Sequence, residues 1–414
     1  MVCVDFARHG PMQRPRILSM SVDAPSKLGG VARLAGELTR ALAERHADYA
    51  ALVSPGVAPA KDAGNLELVT DFQSDTRLRE GPLARFEDDR IADFTMQLIQ
   101  ANEISHLILW HGFYYGPGAI RAAWLANIDA TVFVHGTELT SQFPELLGLP
   151  RHDTPFLHMS LRNRYLDVLN RSQRVLTNSE FTADLVRMLV PNAEIHAVGC
   201  GLVRNDWKRE VELQPDYDPE NKRTFRNRIE LAERPTLIFL GRLVPHKNAD
   251  FLVRVLAHLP EAQLILAGNG PLDEEIAELS TQLGVTDRII REREFDDGRK
   301  WDLLRAADIG LLPSGIDQET AGFEGFGIAM LEYAAAASCP ISSGIAGLSA
   351  IEKRVGPPPF PIDPSGDPAS CANNIRVLLA NPQRISARVS CVRELFSLGF
   401  LWDDIADRIS SVIQ

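Results

Sequence analysis

Short apolar runs alternate with longer amphipathic stretches along almost the whole chain, and this rhythm narrows the possible folds more than any other feature. In the first half the runs are 16–22 (RILSMSV), 49–53 (YAALV), 105–110 (SHLILW), 130–134 (ATVFV), 173–177 (QRVLT) and 194–198 (EIHAV). Helix-like stretches lie between them at 30–45, 87–103, 117–126 and 180–190. Strands and helices in alternation predict a parallel sheet wrapped by helices. The stretch 204–234 breaks the rhythm. It is highly charged, holds Pro215 and Pro219, and reads as a linker followed by a helix around 220–231. Strands then resume at 236–240 (TLIFL), 263–267 (QLILA), 287–291, 308–312 (DIGLL) and 339–342, with helices at 248–258, 272–283, 298–306 and 326–337. A Pro-rich loop over 356–368, helices near 368–380 and 383–395, and a tail helix over 399–414 follow.

The pattern predicts two doubly wound α/β domains, which a length of 414 residues suits. Ligands of such sheets bind beyond the carboxyl ends of the strands, so two of them face to face would enclose an interdomain cleft. Lys+Arg number 43 against 55 Asp+Glu, a net charge of −12, which disfavours nucleic acid as a partner. Five scattered cysteines with no CxxC pair suggest neither a zinc site nor a redox pair. A reduced, cytoplasmic chain is expected. The N-terminal residues Asp5, Arg8, His9 and Pro11 do not suit a signal peptide. No apolar run approaches about 18 residues, so no transmembrane segment is expected.

Residues with chemical potential cluster where strands end. Gly29 and Gly30 open a helix after the first strand, where free N–H groups attract phosphate; the segment lacks GxGxxG. His111 and His135 each end a strand and precede a glycine, and Tyr114 and Tyr115 follow the first of them. Core packing explains either tyrosine at least as readily as a ligand does and suits His111 better, whereas His135 is read as a hydrogen-bonding group in the cleft. Strand 236–240 runs into Gly241-Arg242-Leu243 with Lys247 beyond, two cations suited to phosphate oxygens. The next strand ends in Gly268-Asn269-Gly270-Pro271. Glu324 precedes a glycine turn, Gly325-Phe326-Gly327-Ile328, that starts a helix, and Glu332 lies eight residues on. At the helical rise the two carboxylates are on the order of 10 Å apart, with the positive helix end between them. That spacing suits a sugar nucleotide: hydroxyls at both ends and a diphosphate in the middle.

Taken in order, GRL with Lys247, GNGP, Ala306-Ala307-Asp308, Leu312-Pro313-Ser314, EGFG and Glu332 resemble the family 4 retaining glycosyltransferases of the GT-B fold, whose paired glutamates form the EX7E motif. Gly29-Gly30, His135-Gly136, the TNSE segment 177–180 and the tail around Trp402 match in the same order. The resemblance implies two Rossmann-like domains: 1–205 for the acceptor, joined by a returning helix over 396–414, and 206–395 for the donor. It implies a UDP- or GDP-sugar as donor substrate and no cofactor. Arg242 and Lys247 would neutralise the leaving diphosphate. Glu324 would bind donor-sugar hydroxyls, with the amides of Phe326, Gly327 and Ile328 nearby. Glu332 would hold the ribose, and Glu294 and Phe295 the base. Gly30 would lie against the diphosphate or donor sugar, and His135 near the reacting carbon. His111, Tyr114, Tyr115 and Glu138 are candidates for the acceptor side.

Ser314 and Glu324 are separated by GIDQETAGF, a longer insert than the family's motif carries. No DxD follows an apolar run, and Asp216-Tyr217-Asp218 lies in the linker, so no metal is implied. With no carboxylate placed as a nucleophile, same-face attack assisted by the leaving phosphate is expected over double displacement. Residues 1–190 show no basic or amphipathic surface segment of the kind that binds anionic lipid, so a small soluble acceptor is expected, with oligomerisation open. The competing readings are a nucleotide-sugar epimerase or phosphorylase on the same fold, and a catalytically silent sugar-nucleotide-binding protein.

Overall fold

The computed structural model describes residues 14–23, 30–54, 66–70, 84–150 and 159–414. Gly29 lies outside the described residues. The first sheet comprises β1 (Arg16–Met20), β2 (Tyr49–Ser54), β3 (Leu66–Thr70), β4 (His106–Leu109), β5 (Asp129–Val134), β6 (Arg174–Thr177) and β7 (Glu194–Ala197), in the order β3-β2-β1-β4-β5-β6-β7. The second comprises β8 (Thr236–Leu240), β9 (Gln263–Ala267), β10 (Ile289–Glu292), β11 (Ile309–Leu312) and β12 (Cys339–Ser342), in the order β10-β9-β8-β11-β12. Around the first sheet run α1 (Gly30–Arg45), α2 (Ala84–Ala101), α3 (Gly116–Ala126), α4 (Thr137–Gln142), α5 (Met159–Arg171) and α6 (Glu180–Leu189). The connecting stretch holds α7 (Arg204–Leu213) and α8 (Pro219–Arg228). Then come α9 (Ala249–Ala257), α10 (Asp273–Gln282), α11 (Asp297–Ala306), α12 (Ile328–Ala335), α13 (Leu348–Val355), α14 (Pro368–Leu379), α15 (Pro382–Ser397) and α16 (Trp402–Ile413). None of these helices is long and apolar enough to cross a membrane.

The expected doubly wound α/β architecture is present, and both sheets reverse their strand order in the manner that creates a ligand crevice. The chain divides into two compact units. One is Met1–Val132 with Asp167–Arg174 and Ala406–Gln414; the other is Phe133–Leu166 with Val175–Ile405.

In the first unit β1 is parallel to β2 on one side and β4 on the other, so Leu18 registers with both Ala51 and Leu107. All three are buried, as strands covered on both faces require. The Trp110 indole donates to Thr39 Oγ1 at 2.8 Å, and His106 Nε2 meets Thr131 Oγ1 at 2.9 Å. The chain's last helix returns to this unit. Asp407 of α16 takes Arg45 Nη2 at 2.8 Å and His46 Nε2 at 2.6 Å.

Burial lowers the pKa of His106 to about 4, which yields a stability prediction. The folded value lies below the unfolded one of about 6.5, so the unfolded chain takes the proton first. The neutral imidazole's contribution is therefore complete above about pH 6.5 and is lost as the pH falls toward 4. Its full size is about 3 kcal/mol. Urea unfolding midpoints measured across that window should fall steeply in the wild type and less in His106→Gln. Parallel curves would show that other groups carry the acid sensitivity.

In the second unit α12 lies against the sheet through Tyr333. Its hydroxyl accepts the Leu240 N–H at 2.8 Å, and its ring fills the place where a Cβ on Gly310 would sit 2.2 Å from Cγ. Basic side chains satisfy the carboxyl end of α12. Lys222 Nζ donates to Ala336 O at 2.7 Å, and Arg393 donates to Ala334 O at 2.8 Å and Ala335 O at 2.9 Å. The amino end of α12, at Gly327 with φ of 94°, has no side-chain cap.

Two stretches differ from the sequence-based expectation. Residues 204–213 form α7 where a linker was expected, because its polar face is buried by ion pairing: Glu210 is fully buried and takes two bonds from Arg305 of α11, at 2.6 and 2.7 Å. Trp207 adds a stacked contact with Phe396 at 3.7 Å. The edge strand β3 was not anticipated. It pairs with β2 and carries Glu67, which accepts the Tyr49 hydroxyl at 2.5 Å.

Candidate functional site

In the second sheet the strand order reverses between β8 and β11, and the segments leaving these strands carry most of the predicted donor residues. After β8 the chain runs through Gly241 and Arg242 to a 3₁₀ turn, Pro245–Lys247, closed by Asn248 at φ of 50°. After β11 it runs through Pro313 and Ser314 to EGFG. The two segments are laced together. Asn248 Nδ2 donates to Pro313 O at 3.0 Å, and the Gly315 N–H donates to His246 O at 2.8 Å. This brings Lys247 and Glu324 into a direct ion pair, with side chains 16% and 14% exposed. Burial alone would raise the Glu324 pKa, but the Lys247 ammonium, with smaller help from His246 and then the Phe326 N–H, holds it below its ordinary value. Burial, and then the charge of Lys247, lowers His246 to about 4, so its imidazole is neutral at pH 7. Arg242 is exposed; its carbonyl accepts the Val244 N–H at 3.1 Å, and its guanidinium makes no hydrogen bond or ion pair among the described residues.

Glycines allow this packing where backbones meet. A Cβ on Gly268 (φ 130°) would lie 2.1 Å from Gly241 O, so GNGP acts as the seat of the cation loop. A Cβ on Gly325 would lie 2.4 Å from both His135 O and Asn178 Nδ2. The strand-end histidine is thus next to the EGFG turn. Asn178 Nδ2 donates to His135 O at 2.8 Å, and Glu138 Oε1 accepts the His135 N–H at 2.6 Å, so Glu138 caps its own loop. The loop 343–348 covers the turn from the other side, with the Gly347 N–H donating to Glu324 O at 2.9 Å.

The insert 315–323 is a short hairpin. Ile316 and Phe323 form an antiparallel bridge, and Asp317 binds the Thr320 N–H at 2.7 Å. Its base is tied to α4 through Thr140 Oγ1 to Ala321 O at 2.7 Å and Thr137 Oγ1 to Phe323 O at 3.2 Å.

Of the predicted residues, the fold brings His135, Lys247, Glu324, Phe326 and Gly327 together around the start of α12, with Gly268 beneath the cation loop. Phe326 is buried and stacks on Phe400 at 5.9 Å, while Ile328 begins the helix half-buried. Glu332 lies further along α12, buried, with Lys300 of α11 at 3.1 Å from its carboxylate. Glu294 and Phe295 follow β10, the first exposed and the second half-buried. Gly30, His111, Tyr114 and Tyr115 belong to the other unit. A Cβ on Gly30 would meet nothing within 4 Å, His111 Nδ1 accepts the Phe113 N–H at 3.2 Å, and Tyr115 is buried edge-on to Tyr114 at 4.7 Å. Sequence reasoning did not single out Lys300 or Asn178. Asn178 could have been found in the TNSE segment, whereas Lys300 has no local signal.

Residues 221–392 match the family described as glycosyl transferases group 1, and residues 28–204 match glycosyltransferase family 4. The chain is 29% identical over 205 residues to a GDP-mannose-dependent alpha-(1-6)-phosphatidylinositol monomannoside mannosyltransferase of Mycobacterium tuberculosis, covering 48% of this chain and 52% of that protein. This chain thus spans about half the length of the first such relatives. It is 26% identical to a D-inositol 3-phosphate glycosyltransferase of Xylanimonas cellulosilytica, over 95% of this chain and 94% of that protein. Among solved structures, Anabaena Alr3699/HepE in complex with UDP-glucose superposes with a TM-score of 0.71 at 17% identity, covering 96% of this chain and 99% of that one. The sucrose-phosphate synthase of Thermosynechococcus elongatus gives 0.72 at 17% identity, covering 96% and 98%. At such identities these structures speak to the fold alone.

Proposed function

From these two family matches we propose that the chain is a family 4 glycosyltransferase, moving a glycosyl group from a UDP- or GDP-sugar to a hydroxyl of a small soluble acceptor or sugar, with retained configuration and without a metal. Residues 206–395 serve the donor; residues 1–205 with the returning helix serve the acceptor. The observation that carries the reading is the Lys247–Glu324 pair at the uncapped amino end of α12. A cation and free helix N–H groups suit a diphosphate, and an ionised carboxylate suits sugar hydroxyls.

In the proposed reaction the bond from the anomeric carbon to the β-phosphate oxygen breaks, and its electron pair leaves on the diphosphate. The acceptor oxygen forms its bond on the same face, and its proton passes to the departing phosphate oxygen. Lys247, Arg242 and the start of α12 stabilise the charge that grows there. Glu324 holds donor-sugar hydroxyls, Glu332 the ribose, and the 294–295 loop the base. His135 faces the donor sugar. A polyol acceptor accords with the inositol-based acceptors in the relatives' names. Mass spectrometry of products from a matrix of donors and acceptors tests the reading; hydrolysis or epimerisation without any transfer product would overturn it.

Two predictions separate the roles. Glu324→Gln should cut turnover far more than it weakens the bare nucleoside diphosphate. Glu332→Ala should weaken the nucleotide itself by about 1.5–3 kcal/mol, the worth of a hydrogen bond to a charged acceptor. Calorimetry with the diphosphate decides, and equal losses in both variants would sink the assignment. Turnover should also survive EDTA, since two cations are placed for the charge that a metal would otherwise neutralise. Activity lost on chelation and restored by magnesium or manganese would contradict this.

A further inference from the structure

The pairing of Glu332 with Lys300 goes beyond the roles assigned above. Both side chains are nearly sealed from solvent, at 7% and 6% exposure, and their charged atoms lie 3.1 Å apart. Lys300 comes from α11, a different helix, whose start is fixed by Asp296 accepting the Arg299 N–H at 2.7 Å. Its ammonium is held from a second side by Asp297 at 2.7 Å and lies 5.0 Å from the centre of the buried Trp301 ring. Lys300 is therefore a fixed charge rather than a swinging surface lysine.

We propose that Lys300 is the positioning residue for ribose recognition: it holds the Glu332 carboxylate in the orientation that accepts hydrogen bonds from the ribose diol. This rests on the donor reading above. A diol presents donors and a carboxylate presents only acceptors, so the plane in which the carboxylate is held decides whether both bonds can form. An ion pair from a neighbouring helix, 3.1 Å away, fixes that plane. Lys300 need not touch the nucleotide.

The test compares ribo- and 2′-deoxyribonucleoside diphosphates, both uridine and guanosine, by calorimetry on the full chain. Wild type should prefer the ribonucleotide by about 10-fold or more. Lys300→Met should reduce that preference to within about 2-fold, leave affinity for the deoxynucleotide nearly unchanged, and raise the donor KM with little change in kcat. Lys300→Arg should restore most of the preference. Lys300→Gln, which keeps a polar side chain of similar length, gives the same reading if the Met variant does not fold. A ribose preference that persists in Lys300→Met or Lys300→Gln overturns the proposal and leaves the donor reading standing. Failure of the wild type to bind either ribonucleotide overturns both. Nucleotide binding with no ribose preference in the wild type removes Glu332 from the ribose, and Lys300 with it.

Discussion

Lys247→Ala should lower the rate of glycosyl transfer by about 10²–10³-fold while changing the donor KM much less. Negative charge on the bridging oxygen grows as the glycosidic bond breaks, so a fixed cation acts more strongly on the transition state than on bound donor. The fold fixes this cation well. Lys247 is the last residue of a 3₁₀ turn tied to the segment after β11, and its ammonium meets Glu324 in a site where both are mostly shielded from solvent. Arg242, exposed and with its guanidinium unpaired among the described residues, should show the same kind of loss. Together the two losses should fall short of their product, since both act on one charge. Arg242→Lys should rescue only in part, because a point charge replaces a two-pronged donor. The ion pair adds a control. Removing Lys247 leaves a buried carboxylate without its cation, so part of the loss would come from Glu324 rather than the leaving group. Lys247→Ala/Glu324→Gln measures that part, and single-turnover kinetics on the set separates chemistry from binding. Losses confined to KM would make the cations mere anchors and move leaving-group stabilisation to the start of α12.

The strands were legible where burial on both faces made them continuous apolar runs. TLIFL became β8 and residues 339–342 became β12 without adjustment. Where polar groups do the packing, the sequence is silent. α7 is held by Glu210 and Arg305, partners nearly a hundred residues apart that read as ordinary surface charges. α4 spans only six residues, too short for helical periodicity to register. The site divides the same way. Lys247 and Glu324 were legible singly, from glycine turns after strands. Their contact depends on β8 neighbouring β11, a strand order that periodicity does not encode. Lys300 left no local signal because its ion-pair partner Glu332 lies on a different helix.

Asp308 shows the opposite case, a residue quoted for a motif that proves to be a structural anchor, and its replacement should be the most damaging to stability. Asp308→Ala should cost about 3–5 kcal/mol, the usual price of breaking a buried ion pair from one side. The carboxylate, 3% exposed, accepts from Thr236 N at 2.7 Å, Tyr217 Oη at 2.9 Å and Arg226 Nη1 at 3.0 Å. It thereby joins the start of β8, the loop after α7 and helix α8 in one network. Arg226, 7% exposed, would keep its bond to Ala306 O at 3.0 Å but lose its countercharge. Burial and the neighbouring carboxylate both push the Tyr217 phenol upward, so it remains a neutral donor facing Asp308 at any working pH. Asp308→Asn should fall between wild type and Ala, since the amide oxygen still accepts one or two of the three bonds. Replacing Arg226 as well, with Met, should recover part of the loss by removing the stranded charge. Urea unfolding gives the four stabilities, and hydrogen exchange at Leu237 and Ile238 shows whether β8 itself opens. The same strand carries the cation loop at its far end, so activity should decline at lower urea than global unfolding in the Ala variant. A loss below about 1 kcal/mol, the range of an exposed pair, would mean that water or a rearranged Tyr217 replaces the carboxylate, and that the network is not what fixes β8.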